Sequence, residues 1–248
     1  MLLNELCNYI ASLLQIGMFR DYCPNGLQVE GRSEIRRIAT GVTASQDVLD
    51  TAIDWGADAI LVHHGYFWRN EDAVITGIKK RRIAQLLRNE VSLLAYHLPL
   101  DAHPELGNNV QLGKLLGLDE LGRFGEQNIA CIGSLSQPVR LEQFVEKISL
   151  KLKRSPQVIG DPQRMLSKMA WCSGGAQNYF EAAVASGADA YLTGEISEQN
   201  FHVAAETGVA FIAAGHHATE RLGVQALGEH LAGRFGLEHR FFDQDNPV

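Results

Sequence analysis

Three apolar runs along this chain each break off into histidine. Ala59-Ile60-Leu61-Val62 leads to His63-His64-Gly65, Leu93-Leu94-Ala95-Tyr96 leads to His97, and Phe211-Ile212-Ala213-Ala214 leads to Gly215-His216-His217. A run of four or five apolar residues bounded by Gly or Pro predicts a buried strand. Elsewhere the period lengthens. Leu141, Phe144, Val145, Ile148 and Leu152 keep helical spacing and predict a helix within 139–152. Residues 128–135 alternate enough for a strand, and 155–162 are turn-rich around Val158-Ile159. Lys79-Lys80-Arg81-Arg82 reads as the solvated face of a helix leading into Ile83, Leu86 and Leu87.

The pattern repeats. Ile38 to Gln46, an amphipathic stretch and Gly56-Ala57-Asp58-Ala59 reappear 131 residues later as Met169 to Gln177, a second such stretch and Gly187-Ala188-Asp189-Ala190. In each copy a strand feeds a turn and a helix, Gly stops the helix, and another strand follows. That is a βαβ unit, which implies parallel pairing with helices covering the sheet. The stretch from His97 to Leu118 likewise parallels that from Ala214 to Leu237. The expected fold is therefore α/β, with two related lobes from an internal duplication. The expected division is 1–118 and 119–248, with the C-terminal helix returning to the first lobe.

Composition narrows the function. The 248 residues are 46% hydrophobic, ample for a packed core. A net charge of −7 with one short basic run argues against a strong nucleic-acid footprint. No apolar stretch approaches the roughly 20 residues of a spanning helix, and Met1 to Leu6 does not read as a signal peptide. Cys7, Cys23, Cys131 and Cys172 form no C-x-x-C, so neither thiolate zinc nor a disulfide framework is expected. A reduced, cytoplasmic protein without membrane contact is the expectation.

Six of the nine histidines lie at or just beyond the three apolar runs. The carboxyl ends of strands are where open α/β sheets place their ligands. His216 and Glu220 are four residues apart and share a face at the amino end of a predicted helix. A carboxylate there could bridge two cations. His63 and His64 could each reach a different cation if the backbone turns at the strand end, and Asp101 supplies a second carboxylate. Three imidazoles and two carboxylates suit a pair of divalent first-row metals, with iron, manganese, zinc or nickel all acceptable. Such pairs recur in hydrolases.

Plainer readings compete. His97, His103 and His217 could be core histidines with hydrogen-bonded rings; His97 and His217 are also candidates for a proton shuttle. His202, His230 and His239 read as structural or exposed. Glu195, which matches His64 in the repeat, is either a support for the site or a carboxylate favoured at a helix amino end. Ser173-Gly174-Gly175 either holds an anion on its amides or allows close helix packing. Tyr66-Phe67-Trp68 either stacks a base or lies in a subunit contact. Cys172 lacks a local base for thiol catalysis.

At these residues the chain resembles the dinuclear-metal proteins known as GTP cyclohydrolase I type 2 homologues, or Nif-three-like proteins. The matching pieces are Asn25-Gly26-Leu27-Gln28-Val29-Glu30-Gly31, Gly56-Ala57-Asp58 with His63-His64-Gly65, His97-Leu98-Pro99-Leu100-Asp101, Thr193-Gly194-Glu195 and Gly215-His216-His217-Ala218-Thr219-Glu220. The likeness is to the short bacterial branch without an inserted domain. It implies a duplicated α/β fold, a toroidal homohexamer, and ligation of two metals by His63, His64, Asp101, His216 and Glu220, with Glu220 bridging. It also implies a metal-dependent hydrolase acting on a small-molecule or nucleotide substrate, with purine C8 as the target in GTP ring opening. Sites facing the cavity of a ring would admit small molecules or unpaired nucleic acid. The alternative is a non-catalytic protein for metal binding, storage or delivery.

Overall fold

The structure, a computed structural model, describes residues 1–248. The chain divides into two compact units. The first comprises Met1–His103 and Gly223–Asp245, the second Pro104–Leu222 and Asn246–Val248. Helix α5 (Asn108–Leu116) belongs to the second unit, because Leu112 and Leu116 pack with Phe144, Ile148 and Trp171.

The first unit runs α1 (Leu3–Leu13), β1 (Gly26–Val29), β2 (Arg37–Thr43), α2 (Gln46–Asp54), β3 (Ala59–His64), α3 (Gly77–Arg88), β4 (Ser92–Ala95) and α4 (Leu98–Ala102). The second holds α5, β5 (Leu118–Phe124), β6 (Ala130–Arg140), α6 (Leu141–Leu152), β7 (Gln157–Ile159), β8 (Met165–Trp171), α7 (Phe180–Ala185), β9 (Ala190–Thr193), α8 (Glu198–Thr207) and β10 (Ala210–Ala213). Helix α9 (His216–Phe235) begins in the second unit and ends in the first, which β11 (Glu238–Phe241) completes.

The first sheet has the order β1-β4-β3-β2-β11. Its pairings are parallel except for that of the antiparallel edge strand β1. Both faces are covered, as a parallel sheet requires. Ile60, Val62, Leu93 and Ala95 pack with Val48, Leu49 and Ala52 of α2 and with Ile83 and Leu86 of α3. Alternation sends Leu61 and Leu94 to the opposite face, where they too are fully buried. The basic run does lie on α3, but Leu87 is exposed and only Ile83 and Leu86 reach the core.

The second sheet has the order β5-β6-β8-β9-β10-β7. β8, β9 and β10 are parallel, and antiparallel strands flank them on both sides. Residues 139–140 extend β6 instead of starting the helix, which begins at Leu141. The turn-rich stretch at 155–162 contributes an edge strand, β7, because its short Val158-Ile159 pair meets β10.

The duplication is visible in register. Ile38 pairs with Ala59 as Met169 pairs with Ala190, and Thr40 with Leu61 as Trp171 with Leu192. One carboxylate does the same task in each copy. Asp58 Oδ2 accepts from the amides of Arg36 and Arg37, and Asp189 Oδ2 accepts from those of Ser167 and Lys168. Each pins the start of one strand to the start of its neighbour. The chain is thus an α/β protein of two related lobes, with sheets covered by helices. No helix is long and apolar enough to cross a membrane.

Candidate metal centre

In the first unit, parallel register aligns the carboxyl ends of β3 and β4, and the residues just beyond them converge. The rings of His63 and His64 lie 4.7 Å apart although the two residues are adjacent in a strand. His97, which follows β4 after Tyr96, brings its ring to 5.0 Å from His63 and 5.7 Å from His64. One nitrogen from each of the three rings lies within 4.8 Å of the others. Asp101, buried on α4, places Oδ2 3.5 Å from His63 Nε2.

Each ring is held at Nδ1. His63 Nδ1 donates to the Tyr96 carbonyl at 2.9 Å, His97 Nδ1 to Asp21 at 2.7 Å, and His64 Nδ1 meets the Thr43 hydroxyl at 3.2 Å. Since a carbonyl and a carboxylate only accept, the neutral forms of His63 and His97 carry their lone pair on Nε2. Asp21 itself accepts from the amides of Tyr22 and Leu98 and from the Asn25 side chain. Burial pushes the Asp21 carboxyl up, but His97, Asn25 and the amide together hold it below the usual carboxylate value. Burial raises the neighbouring Cys23 thiol to about 12, with the Asp21 charge adding to it.

The segment from Asn25 to Gln28 supports this cluster. Asn25 Oδ1 accepts from the His97 amide at 2.8 Å. Gln28 both accepts from the Tyr66 amide and donates to the Tyr66 carbonyl, fixing the backbone just past His64. The aromatic triplet splits up. Tyr66 is a core residue whose hydroxyl donates to the Ala44 carbonyl. Phe67 is exposed beneath the Lys79 ammonium. Only Trp68 joins the histidines, its ring 5.0 Å from His97 and 5.9 Å from His64.

In the second unit, Gly215 closes β10 and α9 starts at once with His216. One turn on, Glu220 Oε2 lies 3.1 Å from His216 Nε2, as the four-residue spacing predicts. His216 Nδ1 is 2.6 Å from Glu195 Oε1, and Gln177 donates to the other oxygen of Glu195. Glu195 therefore supports a ring; it is not merely a charge at a helix end. Burial disfavours a charged His216, but the Glu220 and Glu195 carboxylates outweigh it and lift the imidazole to about 9. The position attracts positive charge.

Ser173-Gly174-Gly175 serves close packing here. A Cβ on Gly174 would sit 2.1 Å from Glu220 Oε1, and the Gly174 amide donates to the Thr219 hydroxyl. His217 is buried, and its amide donates to the Val248 carbonyl. His103 caps the end of α4. His202 pairs with Glu198 on an exposed face, while His230 and His239 hydrogen-bond Tyr9 and Thr40.

These donors fit a divalent metal. Two ligands on one ion at bonds of about 2.1 Å stand roughly 3.0–3.4 Å apart in octahedral or tetrahedral shells. The His216–Glu220 edge, at 3.1 Å, falls within that range, and the His63–Asp101 edge, at 3.5 Å, lies just above it. Sequence reasoning missed Asp21. Its only signal was a polar residue in the short link between α1 and β1, without a ligand pattern.

A family profile for DUF34/NIF3 (NGG1p interacting factor 3) matches residues 1–247. The chain belongs to this family. Relatives named GTP cyclohydrolase 1 type 2 homolog include one from Pseudomonas aeruginosa, 54% identical over 99% of this chain and 98% of that protein. Another, from Neisseria meningitidis serogroup B, is 53% identical over 100% and 99%. Among solved structures, the structural-genomics protein ybgI, of unknown function, is 47% identical, covers both chains fully and superposes with a TM-score of 0.97. TTHA1606 from Thermus thermophilus is 33% identical over the full length of both chains, with a TM-score of 0.90. DUF34/NIF3 membership thus rests on nearly the whole chain.

Proposed function

We propose that the chain binds two divalent metal ions through His63, His64, Asp101, His216 and Glu220, and that it is a metal-dependent hydrolase acting on a nucleotide-like substrate. One observation carries the reading: an arrangement that occurs in both units. In each, a histidine is anchored at Nδ1 by an acceptor (Tyr96 for His63, Glu195 for His216) and meets a buried carboxylate at Nε2. Metal-binding histidines characteristically donate their other ring N–H to a carbonyl or carboxylate, which fixes tautomer and aim. A core histidine needs no carboxylate at its second nitrogen.

Divalent ions held there supply Lewis acidity and a water-derived nucleophile near neutral pH. The protein's part is to hold and orient. Glu195 keeps the His216 ring turned toward Glu220, and Gln28 locks the backbone beyond His64. Trp68 gives the first cluster an aromatic wall on which a base can stack. The names of the relatives favour GTP, or a compound with its ring system, as the substrate to test first.

The test is elemental analysis of anaerobically purified protein, followed by a screen of nucleotides with the protein loaded with iron, manganese, zinc or nickel. Two metals per chain and turnover of at least one nucleotide are expected. Glu220→Ala should release both metals if that carboxylate bridges them. Full loading without turnover of any nucleotide, phosphoester or amide would make metal storage or delivery the better reading.

A further inference from the structure

We infer that His97 is itself a metal ligand, a fourth imidazole beside His63, His64 and His216, with Asp21 as its positioning residue. The inference rests on the proposed metal-binding reading and adds to its donor set. It replaces a proton-shuttle role for His97.

Three observations within the first unit converge. First, a ligating nitrogen of His97 lies within 4.8 Å of those of His63 and His64. Opposite ligands on one ion stand about 4.2 Å apart at bonds of about 2.1 Å, so the three nitrogens already stand near the spacing one ion needs. Second, the Asp21–His97 pair repeats the anchoring seen at His63 and His216. Nδ1 donates at 2.7 Å to an acceptor, so the lone pair falls on Nε2. Third, Asp21 is built for this one task. Its side chain is almost fully buried, and its two oxygens accept from the amides of Tyr22 and Leu98 and from Asn25 as well as from His97. Asn25 also accepts from the His97 amide, so side chain and backbone of His97 are both fixed from the same segment.

A shuttle must exchange its proton with substrate or solvent and swing to do so. His97 is clamped at its amide and at Nδ1, and the Trp68 ring packs against it at 5.0 Å, nearly perpendicular. Such fixation suits a ligand. Cys23 lies in the same segment within reach of Asp21 and His97. A metal seated there would have to take His97 away from Asp21, so the two arrangements exclude each other.

The experiment loads the intact protein with Co²⁺ and counts hyperfine-shifted, solvent-exchangeable imidazole protons by NMR. One is expected per histidine that binds through Nε2 while protonated at Nδ1. Four signals are expected in the wild type, and His97→Gln should remove one while retaining the rest. Asp21→Asn should weaken Co²⁺ binding in chelator competition by about 10–100-fold, the usual effect of removing a carboxylate behind a ligating histidine. Three signals in the wild type with two cobalt ions bound would overturn the role of His97 and leave the two-metal reading standing. A cobalt–thiolate charge-transfer band that disappears in Cys23→Ser would overturn it in favour of Cys23. Wild type that binds no cobalt would overturn both. The wild-type count does not depend on any variant folding.

Discussion

Replacing Gly174 by alanine separates backbone strain from ligand displacement, because two other glycines of the second unit act as controls. Gly174 has φ +68°, and a Cβ there would lie 2.1 Å from Glu220 Oε1, 3.1 Å from its Cδ and 3.3 Å from His216 Nε2. Gly187 has a similar φ of +78°, but the nearest atom to its Cβ is the mobile end of Lys168 at 3.7 Å. Gly175 has ordinary backbone and a Cβ contact of 3.4 Å with Glu195. A left-handed residue with a Cβ costs roughly 1–2 kcal/mol, less about 0.4–1 kcal/mol from a stiffer unfolded chain. Gly187→Ala should therefore lose about 1 kcal/mol, a fall of roughly 2–4 °C in Tm for a protein of this size. Gly175→Ala should be near neutral. Gly174→Ala carries the same strain plus an overpacking cost of about 1–3 kcal/mol, because Glu220 is buried and paired with His216. A total of about 2–4 kcal/mol predicts a fall of roughly 5–15 °C, read by calorimetry on metal-free protein. Only this variant should also lose metal affinity, by at least about tenfold, since Glu220 must leave its place beside His216. Wild-type cobalt affinity in Gly174→Ala, with a Tm matching Gly175→Ala, would refute the reasoning.

Further outcomes follow from other parts of the molecule. Asp58→Ala should cost more than Asp189→Ala in urea unfolding, about 2–3 against 1–2 kcal/mol. Both variants orphan two amides, but Asp58 is more buried and holds Arg32 at 2.9 Å, closer than the 3.7 Å between Asp189 and Arg164. Burial holds the His239 imidazole below 6.5, against an opposing pull from Glu229. The unfolded chain then binds more protons than the folded one just below that value, so stability is full above about pH 6.5 and falls as the pH drops through the folded pKa. His239→Gln should flatten that acid limb in a pH series of melts. Cobalt should quench chiefly Trp68 among the three tryptophans, since it alone flanks the imidazole cluster. Trp68→Phe should remove most of the quench.

The central strands β3, β4 and β10 were legible because strands buried on both faces read as unbroken apolar runs. The duplication was legible because Asp58 and Asp189 must be carboxylates that begin a strand, so Gly-Ala-Asp-Ala survives as a fingerprint. Edge strands were harder. β5 reads Leu-Asp-Glu-Leu-Gly-Arg-Phe, with only Leu118 buried, and its pairing with β6 depends on backbone that carries no side-chain signature. The sequence leaves Tyr66 open between stacking a base and lying in a subunit contact, because its core packing and its hydroxyl bond to Ala44 involve residues distant in sequence. Ligand chemistry at strand ends could be read from residue type and spacing. Its supports could not: Asp21 reaches His97 across most of the first unit's sequence, and only tertiary folding makes them neighbours.

The parallel pairing of β11 with β2 has a consequence for biosynthesis. A ribosome releases β2 early, yet the strand that covers its outer edge is made only after the whole of Pro104–Leu222. The second unit, apart from its three final residues, is available as one continuous stretch before that moment. Domains generally fold as they emerge, amino-terminal first; here the nascent order is inverted, and the part begun first is finished last. During that interval β2 presents an unpaired, largely buried-type edge, the kind of surface that recruits stray strands. Truncations before Glu238 should therefore fail by aggregation through the first unit while leaving the second unit's core able to form.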